Sequence, residues 1–329
     1  MKKISCVGYH ATGSGAVDDF LREFDNIQTA EYGIECRFLQ DPDGISDLEH
    51  QLIENYHRLN SGFALKRFLM FAKSEERTYR HIFGNQWIPW AQSYVEALSK
   101  FQYTGYWHGD IRLVSPPSLF VYKARKAVNL LLPKGLKKNK YYSYFPKLKT
   151  FCVDISEEEF LRITRAKCEE LCEILNRENR EYVVLDQAVS PQNINRYLRY
   201  ISDLQVIVVD RDPRDVYIND IVRNGDFVLP KDVRQFCTVY RLSRKTLDGK
   251  EDSRKVLRMN FEDMVYRYDA TARRIMEFLG LNQKNHKYAG QYFKPEFSVQ
   301  NTRQWERYPQ LKEQIDIIEH MLPDMLYRF

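Results

Sequence analysis

The sequence predicts an α/β fold in which helices cover both faces of a parallel sheet. Short apolar runs such as Val206 to Val209 do not alternate with polar residues, which is typical of strands buried on both faces. Helical patterns separate these runs, and strands that alternate with helices indicate a doubly wound sheet. The predicted strands are Ile4–Gly8, Ile34–Leu39, Tyr182–Leu185, Leu204–Val209 and Val256–Met259.

Apolar residues at helical spacing predict the helices between these strands. One stripe follows the first strand, and another ends at Gly280, a residue type that commonly terminates helices. Ser156 and Glu159 have the spacing of a capping box and open a further helix. The stripes consist of Val17, Phe20, Leu21 and Phe24; of Phe160, Ile163 and Leu171; and of Ala272, Ile275, Met276 and Leu279.

Residues 41–151 do not follow this alternation. They are rich in aromatic and charged residues and read as mostly helical or irregular. With 329 residues, 43% of them hydrophobic, the chain can bury one large core. We therefore expect a single domain over 1–329, with 41–151 as a large helical insertion over the carboxyl ends of the strands, where α/β proteins bind ligands.

Composition excludes several classes of protein. The net charge of +5 suits an anionic ligand but is too small for a dedicated nucleic-acid-binding protein, so no nucleic-acid partner is expected. No run approaches the ~20 apolar residues that span a bilayer, and the N-terminus lacks a signal peptide, which predicts a cytoplasmic protein without a transmembrane segment. Cys168 and Cys172 lie one helical turn apart and are expected to be packing residues, so no metal site is predicted.

The segment after the first strand has the pattern of a phosphate-binding loop. Gly8 and Gly13 match the two glycines of G-x-x-x-x-G-K-[ST], and a predicted helix follows directly. Ser14 stands at the lysine position and Gly15 at the position of the magnesium-binding hydroxyl. The pattern predicts a loop for a nucleotide phosphate without magnesium–triphosphate chemistry. The alternative is a glycine-rich turn that binds nothing.

A second anion-binding pattern follows the strand Leu204–Val209. Arg211 lies at the carboxyl end of this strand, where a guanidinium can bind a phosphate with two hydrogen bonds. Asn219 follows eight residues later on a predicted helix and can reach the same group. We expect Arg214 and Asp215 to stabilise the start of that helix.

These segments resemble the PAPS-dependent sulfotransferases, where PAPS is 3′-phosphoadenosine 5′-phosphosulfate. The run Arg211-Asp212-Pro213-Arg214-Asp215 resembles their 3′-phosphate motif R-[ND]-P-R-D-x-x-x-S, with Asn219 in place of the serine. Thr12-Gly13-Ser14 resembles the centre of their 5′-phosphosulfate loop, but Ala11 replaces the usual Lys or Arg. His10, Lys66 or Arg67 are candidates to supply the missing cation.

Two further segments carry the same resemblance. The runs Phe261-Glu262-Asp263-Met264 and Phe278-Leu279-Gly280-Leu281 are similar to the family's F-E-D-L turn and F-L-G-L helix end. Ser298, Asn301 and Trp305 resemble the C-terminal S-x-x-N-x-G-x-W segment, in which Arg303 replaces the glycine. The resemblance covers roughly residues 3–30 and 180–310 and does not extend to the predicted insertion.

The resemblance implies a P-loop-like sulfotransferase fold that transfers a sulfuryl group from PAPS and releases 3′,5′-ADP, without a metal. It also implies the residues that bind the donor, which are Ala11, Thr12, Gly13, Ser14, Gly15, Ala16, Arg211, Asn219 and Arg303.

In small-molecule sulfotransferases the catalytic histidine follows the strand that corresponds to Tyr182–Leu185, shortly before the arginine motif. Asp186 stands there, 25 positions before Arg211 (211 − 186), close to the family's interval. We therefore name Asp186 as the first candidate for the base. His10 and His108 are the alternatives.

The sequence leaves two classes of acceptor open. A glycan is the first choice, and a small hydrophobic alcohol such as a sterol or a phenol is the second, favoured by the aromatic composition of 41–151. The rival functions are an NTP-dependent kinase of related fold and a non-catalytic nucleotide-binding protein. Lysines interleave with apolar and aromatic residues from Lys123 to Lys149, which indicates either a contact surface for an anionic membrane or glycan, or an ordinary solvated face. The pattern gives no oligomeric state.

Overall fold

The computed structural model describes residues 1–30, 34–105, 107–137, 148–223, 225, 228–246 and 249–329, without the side chains of His108 and Arg223. The chain forms two compact units. The first comprises residues 1–40, 78–84 and 165–329, and the second comprises residues 41–77 and 85–164.

The first unit contains a five-stranded sheet in which every pair of neighbouring strands is parallel. Strand β1 lies at its centre between β5 and β6, and the strand order is β2-β5-β1-β6-β7. The strands of the chain are β1 (Lys2–Gly8), β2 (Ile27–Gln28), β3 (Phe101–Gly105), β4 (Leu148–Cys152), β5 (Tyr182–Val184), β6 (Leu204–Asp210) and β7 (Val256–Asn260). Gly8 of β1 lies in register with Val209 of β6, so the carboxyl ends of these two strands meet.

Helices make up most of the remaining described structure. They are α1 (Gly15–Leu21), α2 (Ile45–Glu49), α3 (Asn60–Ser74), α4 (Glu76–Phe83), α5 (Trp87–Ala97), α6 (Pro116–Leu131), α7 (Glu157–Leu175), α8 (Ile194–Tyr197), α9 (Pro213–Ile218), α10 (Val233–Ser243), α11 (Phe261–Tyr266), α12 (Tyr268–Leu279), α13 (Pro295–Ser298) and α14 (Lys312–Met321). Single turns of 3₁₀-helix include Arg37–Leu39, His108–Leu113 and Val299–Asn301, and π-helical turns occupy His50–Glu54 and Asn219–Arg223.

The sheet is buried on both faces. Ile207 and Val209 of β6 pack with residues of α1 and α12 in one apolar cluster. Val206 and Val208 point to the opposite face because side chains alternate along a strand, and they are buried too. A second apolar cluster joins α9, α10 and α14. The expected class, a parallel sheet flanked by helices, is therefore confirmed.

The second unit is mostly helical and also contains the antiparallel pair β3–β4. Aromatic side chains fill its interior. Trp87 stacks on Trp90 with ring centroids 5.1 Å apart, and the indole N–H of Trp87 donates to the carbonyl oxygen of Ala72. Much of the aromatic composition of this part of the chain is thus structural.

Two local predictions differ from the structure. The expected strand Ile34–Leu39 is wrong, because Arg37–Leu39 forms a 3₁₀ turn. Its apolar residues are buried for another reason, since the Phe38 ring packs edge-on against Tyr79 and Phe83. The two-residue strand β2 is too short to leave a pattern in the sequence.

The helix ends, the two neighbouring cysteines and the helix lengths can also be compared with the sequence predictions. Ser156 accepts a hydrogen bond from the N–H of Glu159 at the start of α7, and Gly280 ends α12 with φ of 71°. Cys168 and Cys172 are buried, and burial raises the pKa of the Cys172 thiol to about 12. Among the described helices, none is long and apolar enough to cross a membrane.

Candidate nucleotide-binding site

The loop between β1 and α1 is closed by a single side chain. Thr12 is buried, and its Oγ1 accepts a hydrogen bond of 3.1 Å from the N–H of Tyr9. A Cβ atom at Gly8 would lie 2.3 Å from this oxygen, so the close approach requires glycine. The loop therefore turns back on itself directly after the strand.

Two residues of the loop adopt left-handed backbone conformations. Ala11 has φ of 52° and Gly13 has φ of 86°. Within the described part of the chain, the N–H groups of Ala11, Thr12, Gly13 and Ser14 donate no hydrogen bond. Successive unbonded N–H groups of this kind form a concave anion-binding surface. A left-handed alanine is strained, and such strain is found preferentially at functional sites.

Arg211 joins this loop to the C-terminal part of the chain. It is buried at the end of β6, and its Nη1 donates a hydrogen bond of 2.8 Å to the carbonyl oxygen of Ala11. Its Nη2 donates to the carbonyl oxygen of Asn301, and its guanidinium lies 5.2 Å from the ring centroid of Phe261. The guanidinium of Arg211 thus lies beside the loop, which agrees with its expected place at the carboxyl end of β6.

The residues that follow Arg211 hold the surrounding backbone in place. Asp212 caps α9 by accepting the N–H of Arg214, and the two side chains form an ion pair at 2.7 Å. Asp215 is fully buried and accepts the N–H groups of Arg303 and Gln304 at 2.9 and 2.7 Å. Burial raises the pKa of Asp215 to about 7. Arg214 and Asp215 stabilise the helix start and the C-terminal segment, in line with the structural role expected of them.

A cavity of about 300 Å³ lies between the loop, Arg211 and the C-terminal segment. We call it the Arg211 cavity. Its lining brings together most of the residues that the resemblance implied for the donor: Ala11, Gly13, Gly15, Ala16, Arg211 and Asn219. Asp19, Phe261, Phe293, Ser298 and Asn301 complete its lining.

A second cavity, of about 480 Å³, lies on the other side of the same loop. We call it the His10 cavity. Ala11, Gly13 and Gly15 line both cavities, whereas Thr12 and Ser14 line this one. Its remaining wall includes His10, Arg37, Gln40, Gln187, Tyr240 and Arg244. The loop is therefore a wall common to two cavities.

His10 is held by a buried carboxylate. Its Nε2 lies 2.9 Å from Oδ1 of Asp220, and Asp220 also accepts the N–H of Leu229 at 3.0 Å. The imidazole remains partly exposed, with 28% of its side-chain surface accessible, whereas the Asp220 side chain is completely buried. When Nε2 carries the hydrogen that bonds Asp220, Nδ1 is left with a lone pair that can accept a proton.

Asp186 occupies a different environment from His10. It follows β5, its carbonyl oxygen accepts the N–H of Cys36, and its Oδ1 is buried without a hydrogen-bond partner among the described residues. Burial, together with the nearby carboxylates of Asp18 and Glu35, raises the pKa of Asp186 to about 8. As far as the described residues define the two cavities, Asp186 lines neither of them.

Four predicted residues have partners elsewhere or cannot be placed. The Arg303 guanidinium pairs with Glu306 at 2.6 Å and is half exposed, and it is not among the described residues that line the Arg211 cavity. Lys66 is buried in an ion pair of 2.7 Å with Asp110, and Arg67 pairs with Asp43 at 3.2 Å. His108 begins a 3₁₀ turn, and its side chain lies outside the described residues.

Sequence reasoning missed several residues that contact the loop or its cavities. Gln187 has φ of 53°, and its side-chain amide donates to Ser14 Oγ at 2.8 Å while its oxygen accepts the N–H of Gly8 at 3.3 Å. Arg244 pairs with Asp210 at 2.7 Å and lies over the rings of Tyr9 and Tyr240. Gln187 is adjacent to Asp186, and Asp220 is adjacent to Asn219, so both lie next to residues that were predicted.

Comparison with known proteins adds little to this description. No protein-family model matches the chain, and no curated protein sequence matches it. Among solved structures it is similar to one described as retinol dehydratase in complex with androsterone and the inactive cofactor PAP. That likeness covers 100% of this chain and 83% of the other, at 13% identity and a TM-score of 0.37. Agreement at this level is too weak to carry an assignment, and we infer function from the geometry of the loop and its two cavities.

Proposed function

We propose that the chain is a sulfotransferase that moves the sulfuryl group of PAPS to a hydroxyl group of an acceptor. The observation that carries this proposal is the loop of residues 11–15, whose Ala11, Gly13 and Gly15 line the Arg211 cavity on one side and the His10 cavity on the other. A group held against the loop's N–H groups lies between a phosphate-binding arginine and a polarised histidine. In-line transfer needs the donor on one side of the transferred group and the acceptor with its base on the other, and this arrangement suits that requirement.

The Arg211 cavity has the groups that a 3′,5′-bisphosphorylated nucleotide requires. The unbonded N–H groups of Ala11 to Ser14 suit the 5′-phosphate. Arg211 and Asn219 suit the 3′-phosphate, and the Phe261 ring offers an apolar face to the base. Gly15 stands where a magnesium-binding hydroxyl would be needed, which disfavours a nucleoside triphosphate.

We assign the base role to His10. Asp220 orients the imidazole and stabilises its protonated form, and the ring reaches the cavity on the acceptor side. The donor supplies the sulfuryl group, whose bond to the 5′-phosphate oxygen breaks with the electron pair remaining on 3′,5′-ADP. His10 takes the acceptor's hydroxyl proton at Nδ1 as the oxygen bonds to sulfur, and the loop N–H groups stabilise the negative charge that develops.

The lining of the His10 cavity favours a polyhydroxylated acceptor. Thirteen of its twenty lining residues carry polar side chains, and four, Ala11, Pro191, Val216 and Leu229, carry purely apolar ones. Amides and hydroxyls both donate and accept hydrogen bonds, and sugar hydroxyls need both. A sterol has few groups that could form hydrogen bonds with these polar side chains. We therefore propose a glycan rather than a small hydrophobic alcohol.

The donor half of the proposal is tested by thermal unfolding in the presence of nucleotides. Because a ligand that binds the folded state stabilises it by mass action, 3′,5′-ADP should raise Tm by several degrees, and more than ADP, ATP or ATP with magnesium. Arg211→Ala and Arg211→Lys should abolish or greatly reduce the shift, since a lysine cannot form two parallel hydrogen bonds to a phosphate.

Two further variants make this experiment selective. Arg241→Ala removes an exposed arginine that pairs with Asp324, and it should leave the shift unchanged. Arg303→Ala should also leave it unchanged, because its guanidinium pairs with Glu306 outside the cavity. A larger shift with ATP and magnesium would favour a kinase instead. No shift with any nucleotide would contradict a nucleotide-dependent function altogether.

The acceptor half is tested by following release of 3′,5′-ADP from PAPS. We expect release to be stimulated by soluble oligosaccharides and not by a sterol or a phenol. Stimulation by the hydrophobic alcohols alone would overturn the acceptor class while leaving the donor assignment intact.

A further inference from the structure

Helix α6 and the turn after it expose several large apolar side chains. Phe120, Leu130, Leu131 and Leu136 are 73%, 64%, 86% and 67% exposed. Tyr122 is the single side chain of this helix that is buried among the described residues. Large exposed apolar patches on a folded protein usually mark a site of interaction. We call α6 together with residues 132–137 the α6 surface.

The apolar residues of α6 form a continuous stripe. Phe120, Ala124, Ala127 and Val128 are spaced at i, i+4, i+7 and i+8, and Leu131 follows at i+11. Residues at this spacing share one face of a helix. All five are exposed, so the stripe faces away from the described protein. An apolar stripe in the second unit is therefore left uncovered by the residues that the structure describes.

Basic residues surround the stripe, and acidic residues are missing from the sequence around it. Residues 111–137 contain six basic residues and no Asp or Glu, although the whole chain carries almost equal numbers of the two. Lys123 and Arg125 lie on α6 at the borders of the stripe, and Lys134 lies in the turn beyond it. The positive charge of the protein is thus concentrated beside its most exposed apolar side chains.

We propose that the α6 surface binds the surface of a membrane that contains anionic lipids. An amphipathic helix with Phe and Leu on one face and Lys and Arg at its borders lies in the interface, with its apolar side chains among the acyl chains. The basic side chains are then at the depth of the lipid phosphates, which attract them. This proposal is independent of the nucleotide site, because α6 belongs to the second unit and the nucleotide site to the first.

The exposed apolar side chains decide between a membrane and an anionic polymer. A polysaccharide or a nucleic acid would bind the basic residues but would leave Phe120, Leu130 and Leu131 in water. An acyl-chain region, unlike such a polymer, removes their apolar surface from water, which is the favourable term of interfacial binding. A membrane therefore accounts for both features of the α6 surface.

The test is cosedimentation of the full chain with lipid vesicles. We expect the wild-type protein to bind phosphatidylcholine vesicles that contain about 30% phosphatidylserine, and to bind pure phosphatidylcholine at least about tenfold more weakly. Phe120→Ser with Leu131→Ser should lower binding to the anionic vesicles about tenfold or more, because the two side chains no longer enter the acyl region. Lys123→Gln with Arg125→Gln and Lys134→Gln should lower it similarly and remove its dependence on salt.

Matched variants outside the α6 surface control for net charge and for exposed apolar area. Lys284→Gln with Lys287→Gln and Lys312→Gln removes the same number of exposed positive charges, and Leu242→Ser removes an exposed leucine of α10. Both should bind as the wild type does. Failure of the wild type to bind anionic vesicles would overturn the proposal, as would equal loss in the control variants. Binding to heparin that persists in the Phe120→Ser, Leu131→Ser variant, without binding to vesicles, would replace the membrane by an anionic polymer.

Discussion

The Arg211 cavity and the His10 cavity share one wall but are built in different ways. Around the Arg211 cavity, buried charged groups bind backbone atoms. Arg211 donates hydrogen bonds to the carbonyl oxygens of Ala11 and Asn301. Asp215 accepts hydrogen bonds from two N–H groups of the C-terminal segment. Around the His10 cavity, side chains from separate segments are each held by a partner of their own. Asp220 holds His10, and Asp210 holds Arg244.

This difference separates the residues that frame a ligand from those that act on it. A change on the Arg211 side disturbs the backbone of the loop and of the C-terminal segment together, so binding and stability should change in parallel. A change on the His10 side removes a side chain but leaves the hydrogen bonds of the loop backbone in place, so chemistry should change while nucleotide binding is kept. The variants below test this separation.

The largest effect is expected from His10. His10→Ala should lower the rate of sulfuryl transfer by about 10²–10⁴-fold, because it removes the group that accepts the proton. The Tm shift with 3′,5′-ADP should remain close to that of the wild type, since His10 does not belong to the described lining of the Arg211 cavity. Asp220→Asn should give a smaller loss of rate, because the imidazole stays but loses the charge that stabilises its protonated form.

The same assay, applied to Asp186→Asn, distinguishes the two candidates for the base. Asp186 is buried away from both cavities in the described structure, so its replacement should leave the rate nearly unchanged. A full rate in His10→Ala together with a large loss in Asp186→Asn would reverse our assignment.

The next effect concerns Gly13, one of the two glycines that line both cavities. Gly13→Ala should lower the free energy of unfolding by about 3 kcal/mol, because the new Cβ would lie 2.6 Å from the Phe261 ring and φ is 86°. Gly15→Ala is the matched control, since its Cβ would have no neighbour within 4 Å. We expect it to change stability by less than about 1 kcal/mol in urea denaturation. Equal losses in the two variants would contradict the loop geometry.

A further effect depends on pH. The pKa of Asp186 is raised from 3.8 to about 8 by burial, so the folded state keeps a proton that the unfolded state loses above about pH 4. The wild type should therefore lose stability as the pH rises towards 8. Asp186→Asn lacks this loss, and its stability relative to the wild type should rise by on the order of 4 kcal/mol between about pH 5 and about pH 8.5.

A control for this pH dependence comes from an exposed carboxylate. Asp154 pairs with Lys100 at the surface, and this contact lowers its pKa instead of raising it. Asp154→Asn should show no gain in stability at high pH. A flat difference for Asp186→Asn across the same range would mean that its carboxyl group is solvated in the folded protein.

The two cavities also differ in how far the sequence could predict them. The Arg211 side could be predicted because the arginine, the helix cap and Asn219 follow the strand within nine residues of the chain (211 to 219). The His10 side could not, because its residues come from distant segments, with His10 and Asp220 separated by 210 positions. Asp186 was preferred over His10 because of its place after the strand and its interval to Arg211, and neither of these shows which way a side chain points.

A buried apolar run is likewise an ambiguous predictor of backbone conformation. The run Ile34–Leu39 is apolar enough for a strand, yet Phe38 is buried beneath Tyr79 and Phe83 as part of a 3₁₀ turn. A short apolar run reports that its residues are buried and not the backbone conformation that buries them. Longer runs such as that of β6 were predicted correctly, because their flanking helices constrain the choice.

The smallest effect on stability is expected at Ala11. Replacing it tests whether the backbone of the loop that lines both cavities is strained at this residue. Ala11→Gly should raise the free energy of unfolding by about 0.5–1 kcal/mol, because glycine adopts φ of 52° without the steric cost that alanine has there. Ala16→Gly is the control, since Ala16 lies in α1 with ordinary helical geometry and glycine there should destabilise by about 1 kcal/mol. Opposite signs in the two variants would show that the left-handed turn at Ala11 is imposed on the loop by its surroundings. A loss of stability in both would mean that Ala11 is relaxed, and the N–H groups of the loop would then owe their direction to Gly13 alone.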